Sequence, residues 1–213
     1  FMEGKMTMVK MFTANRLYEV SGKDFDPHQG GVSLNGQEAK ANPAVRSTLL
    51  SAALCCNTRI VKEHDEALKD EFWRPKGNSS EAPIVVAAAE VGFCENQLAA
   101  EFPRCLEVPF SSLRKMMMTA SKISGGTLGD GGVSLPGGTK ILAIVNGASN
   151  YIIDSCTTWL TPEDTEASLT ESVKTSTMAV IDDLSSQALR VLAVAVKPMP
   201  KFPFDEKDED LSS

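Results

Sequence analysis

Two apolar runs separated by a glycine-rich stretch constrain the fold of this chain more than any other feature. The first surrounds residues 108–118, where an aromatic residue, a polar pair and a basic pair lie between extended apolar residues. The second is Ile141–Val145, and residues 124–132 between the two runs include five glycines. Apolar runs joined by turn residues predict antiparallel strands. We therefore expect a central hairpin over roughly 106–145, with the glycine-rich stretch as its flexible linker.

This hairpin would bring together residues with complementary chemistry. It places Phe110 and Lys115 close to a turn at Gly147. A flat ring, a cation and exposed backbone in one cleft suit a purine nucleotide, which needs a stacking surface, charge for its phosphates and close backbone approach. In the other interpretation, Phe110 belongs to the core and Arg114-Lys115 is a solvated rim.

Length, charge and cysteine content exclude several classes of protein. A chain of 213 residues suits one large domain or two small ones and can bury a core. The net charge of -7 argues against nucleic-acid binding, and no apolar run approaches the roughly 20 residues that cross a bilayer. The five cysteines include no Cys-x-x-Cys pair, so we expect reduced thiols. Neither of the two histidines has ligand spacing, so we expect no metal site.

Helix start signals mark the first half of the chain. Asn42-Pro43 combines an N-cap residue with a proline at the first helical position. Ser80 is the better candidate to cap the next helix, which has Pro83 in its first turn and is apolar nearly all round over Ile84–Val91. Residues 65–76 between these helices are typical of a polar connection, whose Phe-Trp pair either covers the core edge or forms a mobile loop.

The second half contains one further helix start and one strong strand signal. Thr161-Pro162 predicts an N-cap followed by proline, in a helix that is broken near residues 175–177. Val191–Val196 is a continuous β-type run, which Pro198 should end. Residues 204–213 predict a flexible, acidic, solvated tail.

Motifs of catalysis and of phosphate cradles are missing. The sequence has no Gly-x-x-x-x-Gly-Lys-Ser/Thr, no Gly-x-Ser-x-Gly and no His-Glu-x-x-His. We therefore assign no catalytic residue and expect the chain to bind a ligand rather than to turn it over.

Four segments resemble elements of the P-type cation-transporting ATPases and occur in the family's order. Phe110–Met117 resembles a segment that commonly reads Phe-Ser-x-x-Arg-Lys-x-Met, and Val145–Ala148 resembles a Lys-Gly-Ala strand end with Asn146 in the lysine's place. Gly77–Glu81 resembles Gly-x-x-Thr-Glu, and Leu189–Ala193 resembles Leu-Arg-x-Leu-Ala. Over nearly its whole length, the chain is similar to the cytoplasmic nucleotide-binding domain of the calcium-pump-like members.

The resemblance implies a fold and a setting. The fold is of the α/β (α+β) class, with a mostly antiparallel, twisted sheet of about six or seven strands flanked by helix pairs. Residues 1–213 would form a single nucleotide-binding domain, which is part of a larger membrane pump and lies on its cytoplasmic side. It would present ATP, as MgATP in the whole pump, to a phosphorylatable aspartate on a neighbouring domain.

The same resemblance defines the expected partners. They are ATP and the phosphorylation and actuator domains of the same pump, without nucleic acid and without direct membrane contact. The isolated domain is expected to be a monomer that binds ATP and does not hydrolyse it.

The resemblance also implies a nucleotide-binding site made of nine residues: Glu81, Phe110, Lys115, Met117, Asn146, Gly147, Ala148, Arg190 and Leu192. Phe110 would stack on adenine, and Lys115 would attract the nucleotide. Gly147 and Ala148 would let the base lie against the backbone.

The remaining members of this site would complete the contacts. Glu81 would hydrogen-bond the adenine amino group, and Arg190 would reach a phosphate. Leu192 and Met117 would pad the pocket, while Asn146 supplies a hydrogen bond without a charge.

Two departures from the family pattern leave other functions open. The family often has an arginine where Ser112 stands and a lysine where Asn146 stands. A hydrogen bond to a charged group contributes about 1.5–3 kcal/mol, so ATP affinity is expected to be lowered. A divergent domain with a weakened or lost nucleotide site would act as a regulatory or interaction module. An unrelated small-molecule enzyme would share the hairpin by chance.

Overall fold

The computed structural model describes residues 6–201, and the predicted acidic tail at 204–213 lies outside the described residues. The described part contains twelve strands and five helices. In chain order they are β1 (Lys10–Thr13), β2 (Arg16–Val20), β3 (Val32–Leu34), β4 (Gln37–Glu38), α1 (Pro43–Leu54), β5 (Arg59–Asp65), β6 (Asp70–Lys76), α2 (Ala82–Glu90), α3 (Glu95–Glu101), β7 (Arg104–Val108), β8 (Met116–Lys122), β9 (Ile141–Ala148), α4 (Ser149–Ser155), β10 (Thr158–Leu160), β11 (Glu166–Ser168), α5 (Glu171–Ser186) and β12 (Leu192–Met199).

The predicted central hairpin is present. Strands β8 and β9 pair antiparallel from Lys122 opposite Ile141 to Met116 opposite Gly147. Strand β7 pairs with β8 on one side and β12 pairs with β9 on the other, so that the sheet has the order β12-β9-β8-β7. Every strand pair in this sheet is antiparallel, as the sequence predicted.

The α/β class with antiparallel sheets is confirmed, but the strands are divided differently from the expectation. Instead of one sheet of six or seven strands, the described residues form two four-stranded sheets and two two-stranded ribbons. Strands β1–β4 form the second four-stranded sheet, and β5–β6 and β10–β11 form the ribbons. None of the helices in residues 6–201 combines the length and the apolar composition that crossing a bilayer requires.

The polar connection at residues 65–76 is in fact strand β6 with the turn before it. Ribbon β5–β6 has few buried positions, so it lacks the apolar alternation by which strands are recognised. Two ion pairs cross it diagonally, Lys62–Glu71 at 2.6 Å and Arg74–Glu63 at 2.7 Å. Trp73 packs against the small cluster around α2 and covers a core edge, whereas its neighbour Phe72 is exposed.

Helix α1 forms as predicted and lies at the centre of the core. Asn42 is its N-cap, with the side chain accepting a hydrogen bond from the Val45 N–H at 3.2 Å, and Pro43 follows in the first turn. Its buried side chains include Leu49 and Leu50, which share the main core with sheet residues such as Ile144. The helix therefore packs on one face of the sheet β12-β9-β8-β7.

The start of α2 corrects one prediction. Pro83 lies in the first turn and Ile84–Ala88 is buried, as expected. Ser80, however, is not the cap, because its N–H and its hydroxyl both donate to the Asn78 side chain in a local turn. Glu81 occupies the N-cap position, and its side chain makes no capping bond.

The predicted helix at Thr161-Pro162 is wrong. The N–H of Thr161 donates to the Thr165 carbonyl at 2.8 Å, and the two hydroxyls lie 2.8 Å apart, which closes the turn between β10 and β11. Helix α5 starts later, after the N-cap Thr170, and is not broken near residues 175–177. There Ser176 and Thr177 donate to carbonyls one turn earlier, a bond that the helix tolerates.

Strand β12 also continues beyond the point at which the sequence predicted its end. Pro198 lies within the strand, opposite Leu142 of β9. Because β12 is the edge strand of this sheet, a proline there removes no ladder hydrogen bond from a central position.

The glycine-rich stretch is not a free linker. Leu128 is 4% exposed and belongs to the main core. A Cβ on Gly129, whose φ is +83°, would lie 2.4 Å from Leu50 of α1. The hydroxyl of Ser47 donates to the Leu128 carbonyl at 3.2 Å and accepts from the Val133 N–H at 2.8 Å. Glycines here permit close packing against α1 rather than flexibility.

Candidate functional site

The antiparallel order of the large sheet gathers four strand ends at one edge. Strand β7 ends and β8 begins at this edge, and so do the end of β9 and the beginning of β12. The segments that flank these ends are 109–115, 146–148 and 190–192, and we call them together the site edge. Seven of the nine predicted binding residues lie on these segments, and Met117 is the second residue of β8. Only Glu81 comes from elsewhere.

At Gly147, the backbone of β9 lies very close to the backbone at the start of β8. A Cβ at this position would lie 2.2 Å from the Lys115 carbonyl oxygen and 2.7 Å from the Cα of Met116, so no other residue fits without movement. The Ala148 N–H donates to the same Lys115 carbonyl at 3.0 Å. Lys115 has a left-handed backbone, with φ of +60°. The structure therefore brings Lys115 and Gly147 together, as the hairpin argument predicted.

Phe110 is exposed, which excludes the interpretation that it belongs to the core. Its side chain is 59% exposed, at the start of the loop between β7 and β8. This loop is held by the Arg114 guanidinium, which donates to the Pro109 carbonyl at 2.7 Å, and by the Lys115 N–H, which donates to the Ser111 carbonyl at 2.8 Å. An exposed ring on an ordered loop is available for stacking.

The two predicted cations at the site edge are available for a ligand. Lys115 and Arg190 are exposed, and neither side chain makes an ion pair or hydrogen bond with any residue in 6–201. Two exposed cations without a charged partner in residues 6–201 can attract an anionic ligand to this edge.

Asn146 lies inside the same edge rather than on its surface. It is opposite Met117 of β8 and Val194 of β12, and it is 9% exposed. Its Oδ1 is buried and accepts no hydrogen bond from the described residues. Leu192, two residues before Val194, lies opposite Ala148 and is exposed. Asn146 and Met117 are thus both buried and lie opposite each other in neighbouring strands, next to the exposed residues of the site edge.

Glu81 reaches this region from the start of α2. Val194, which faces the same side of the sheet as Asn146, packs against the cluster of Cys56, Ile84 and Val85. This contact places the first turn of α2 beside β12. One oxygen of Glu81, Oε2, accepts hydrogen bonds from residues that connect α1 to β5. Those residues are Asn57 and Thr58, for which the sequence predicted no role.

Nucleophilic chemistry is not supported by the thiols behind the site edge. Desolvation by burial raises the pKa of Cys55 and that of Cys56. Both thiols therefore stay protonated at neutral pH, and a protonated thiol is a poor nucleophile. In residues 6–201, no three His, Cys, Asp or Glu side chains are placed to hold a metal ion.

Comparisons with known proteins agree on one family. The family model described as "P-type ATPase, cytoplasmic domain N" matches residues 44–213. A calcium-transporting ATPase of Bacillus subtilis is 27% identical over 213 residues, covering 97% of this chain and 22% of the relative. A P-type sodium-transporting ATPase4 of Toxoplasma gondii is 30% identical over 263 residues, covering 92% and 19%. The chain thus spans about a fifth of the length of these curated relatives.

Proposed function

Because this chain belongs to the P-type ATPase family, as its cytoplasmic domain N, we propose that it binds ATP at the site edge. In the whole pump, which transports a cation, the domain presents ATP to a phosphorylatable aspartate on a neighbouring domain. Its partners there are the phosphorylation and actuator domains, and magnesium arrives with the nucleotide as MgATP.

One observation carries this proposal: the exposed ring of Phe110 shares the site edge with the cation of Lys115, which has no partner in residues 6–201, and with the closely packed backbone of Gly147. Stacking of a base on an aromatic side chain is worth roughly 1–3 kcal/mol. A lysine supplies a point charge for phosphate, and a glycine lets a planar base approach the main chain.

The other residues add polar and apolar contacts around the base and the phosphates. Glu81 accepts a hydrogen bond from the adenine amino group, and Arg190 reaches a phosphate from the segment before β12. Met117, Ala148 and Leu192 line the apolar side. Asn146 has a buried Oδ1 without a partner in residues 6–201, and it would accept a hydrogen bond from the ligand once its side chain turns outward.

The affinity follows from the charges that this chain lacks. Ser112 and Asn146 stand where a cation is common in the family. With fewer charges on the phosphates, the ring of Phe110 carries a larger share of the binding free energy. We therefore expect ATP affinity on the order of millimolar, or about -4 kcal/mol.

Phe110→Ala tests the proposal most directly. Losing a stacking contact of roughly 1–3 kcal/mol should weaken ATP binding by about five- to 150-fold, to nearly undetectable levels. Calorimetric or chemical-shift titration with ATP measures the change, and circular dichroism checks that the fold is kept.

The matched control is Phe72→Ala, which removes another exposed phenylalanine, on ribbon β5–β6. This variant should bind ATP like the parent chain. If Phe110→Ala also binds like the parent, the site assignment at this edge is wrong. If the parent chain shows no saturable ATP binding, the alternative of a domain with a lost nucleotide site, acting as a regulatory or interaction module, is favoured.

A further inference from the structure

A polar network links the segment after α1 to the start of α2 on one side and to strand β7 on the other. We propose that Thr58, supported by a bridge from Arg104, is a positioning residue that sets the Glu81 carboxylate toward the base and thereby determines which base is preferred. The inference rests on the proposed function, in which Glu81 contacts the adenine amino group.

The contacts on Glu81 are all made to one of its oxygens. The Thr58 hydroxyl lies 2.8 Å from Oε2 and also 2.8 Å from the Asn78 carbonyl oxygen, so its one hydrogen is shared between these two acceptors. The Asn57 N–H donates to Oε2 at 2.9 Å. Thr58 is 3% exposed, whereas Asn57 is exposed and Glu81 is half-buried, so the carboxylate is held by a buried hydroxyl at the border of the core. The other oxygen, Oε1, receives no hydrogen bond from residues 6–201. The carboxylate is thus fixed through one oxygen and leaves the other for a ligand.

Arg104 of β7 fixes the segment that holds Glu81. Its Nη2 donates to the carbonyls of Leu54 at 2.7 Å and Cys56 at 2.9 Å, at the end of α1. Its Nη1 contacts the Asn57 side chain and Glu107, and the Asn57 amide donates to Glu107 at 2.6 Å. The rigid, forked guanidinium can serve these acceptors together, which an ammonium cannot do in the same geometry.

The contacts of Arg104 link the two groups that are expected to contact the nucleobase, the Phe110 ring and the Glu81 carboxylate. Strand β7 carries Arg104 and Glu107, and Phe110 follows two residues after its end. The same strand therefore positions the ring directly and the Glu81 carboxylate through Asn57 and Thr58. A prepositioned group loses less freedom on binding, so its contact contributes more to affinity.

The arrangement makes a chemical prediction about base preference. A carboxylate oxygen only accepts hydrogen bonds, so it favours a purine with a 6-amino group and disfavours one with a 6-carbonyl group. If Thr58 sets the direction of this oxygen, removing the Thr58 hydroxyl should weaken binding of the amino purine and leave the carbonyl purine unaffected.

The experiment compares ATP with inosine triphosphate, which carries a 6-carbonyl group. For Thr58→Val, a substitution of equal shape, we expect ATP binding to weaken about tenfold, while inosine triphosphate binding stays the same. Thr58→Ser restores the hydroxyl and should restore the preference for ATP. The matched control is Thr48→Val, which removes a hydroxyl that donates to Thr13 in another part of the fold and should leave the preference unchanged.

A second variant keeps the test valid if Thr58→Val does not fold. Arg104→Lys retains the charge but loses the fork, and it should also reduce the preference for ATP over inosine triphosphate. If both variants, or the one that folds, prefer ATP over inosine triphosphate as strongly as the parent chain does, the inference is overturned.

Two further variants separate this failure from that of the proposed function. If Phe110→Ala and Glu81→Gln weaken ATP binding and Thr58→Val keeps the parental preference, only the positioning role is wrong. If Phe110→Ala and Glu81→Gln also bind ATP like the parent, the proposed site fails, and the inference fails with it.

Discussion

Glu90, at the end of α2, is a buried carboxyl without a hydrogen-bonding partner among the described residues. Both of its side-chain oxygens are inaccessible to solvent. They line a small cavity of about 20 Å³, together with Val20, Phe25 and Lys23. A Cβ on Gly30 would lie 2.6 Å from Oε1, so the loop after β2 packs tightly against the carboxyl. Desolvation raises the pKa of Glu90 from 4.5 to about 7.

This raised pKa predicts that Glu90 makes the fold less stable as pH rises. Between pH 4.5 and about 7, the folded chain holds a proton that the unfolded chain has lost, so the free energy of unfolding falls with increasing pH. Glu90→Gln removes the titration. We expect the variant to match the parent at pH 4.5 and below, and to exceed it by about 1–2 kcal/mol above pH 8, after allowance for partial solvent screening.

Urea unfolding of both proteins across this pH range measures the difference. Glu166→Gln, at an exposed position in β11, is the control and should follow the parent at every pH. A Glu90→Gln variant whose stability runs parallel to the parent's across the range would show that Glu90 is hydrated and ordinary.

The residues of the site divide into those that sequence reasoning could find and those it could not. Phe110, Lys115 and Gly147 could be found because each lies next to a recognisable strand, and antiparallel pairing brings strand ends together. Thr58 and Arg104 could not, because the contacts that bring them to the site are made to residues distant in the chain, Glu81 for Thr58 and Leu54 for Arg104. The only local signal was a polar pair, 57–58, directly after a buried helix.

At the scale of elements, the connection between β8 and β9 depends on α1. Ser47 of α1 is buried and bonds to both Leu128 and Val133 of this connection. Ser47→Ala leaves the Val133 N–H without its acceptor, which should cost about 1–3 kcal/mol. We also expect faster hydrogen exchange at the Val133 amide, while ATP binding at the opposite edge of the sheet stays unchanged.

One turn later, Ser51 provides a matched control. It is equally buried, but its hydroxyl donates only to the Ser47 carbonyl of the same helix, at 2.7 Å. Ser51→Ala should be nearly neutral, because alanine has the higher helix propensity. Equal unfolding free energies for the two variants would show that the connection is not anchored by Ser47.

The elements that sequence reasoning missed share a physical cause. Strand β6 and the turn at Thr161 are stabilised by polar contacts between residues distant from any apolar pattern. Hydrophobic periodicity reports burial, so it locates α1, α2 and the large sheet and is silent about ribbons that bury little. Proline and N-cap signals are equally local, and at Thr161 the hairpin pairing of β10 and β11 overrode them.

At the scale of the molecule, the proposed site edge would contact the nucleobase and the phosphates, and residues 6–201 contain no recognisable arrangement of a nucleophile with a general base. We therefore predict that the isolated domain binds ATP equally well with magnesium and with a chelator, because stacking provides most of the affinity. We also predict no sustained phosphate release.

Calorimetry under the two conditions and a phosphate-release assay test both statements, with Phe110→Ala as the reference for lost binding. ATP binding that requires magnesium would contradict the first statement. Phosphate release that a single substitution abolishes would contradict the second.

Ribbon β5–β6 has a consequence for how this part of the chain can change over evolution. Two of its ion pairs are internal, and a third joins Arg59 at its base to Glu95 of α3. Ile60 and Trp73 contact the cluster around α2. At its tip, Leu68 is 75% exposed. Residues added or removed at this tip would alter neither the core nor the site edge, so insertions should be tolerated here. The same property makes the turn at 66–69 a suitable place for an affinity tag or a fluorescent label.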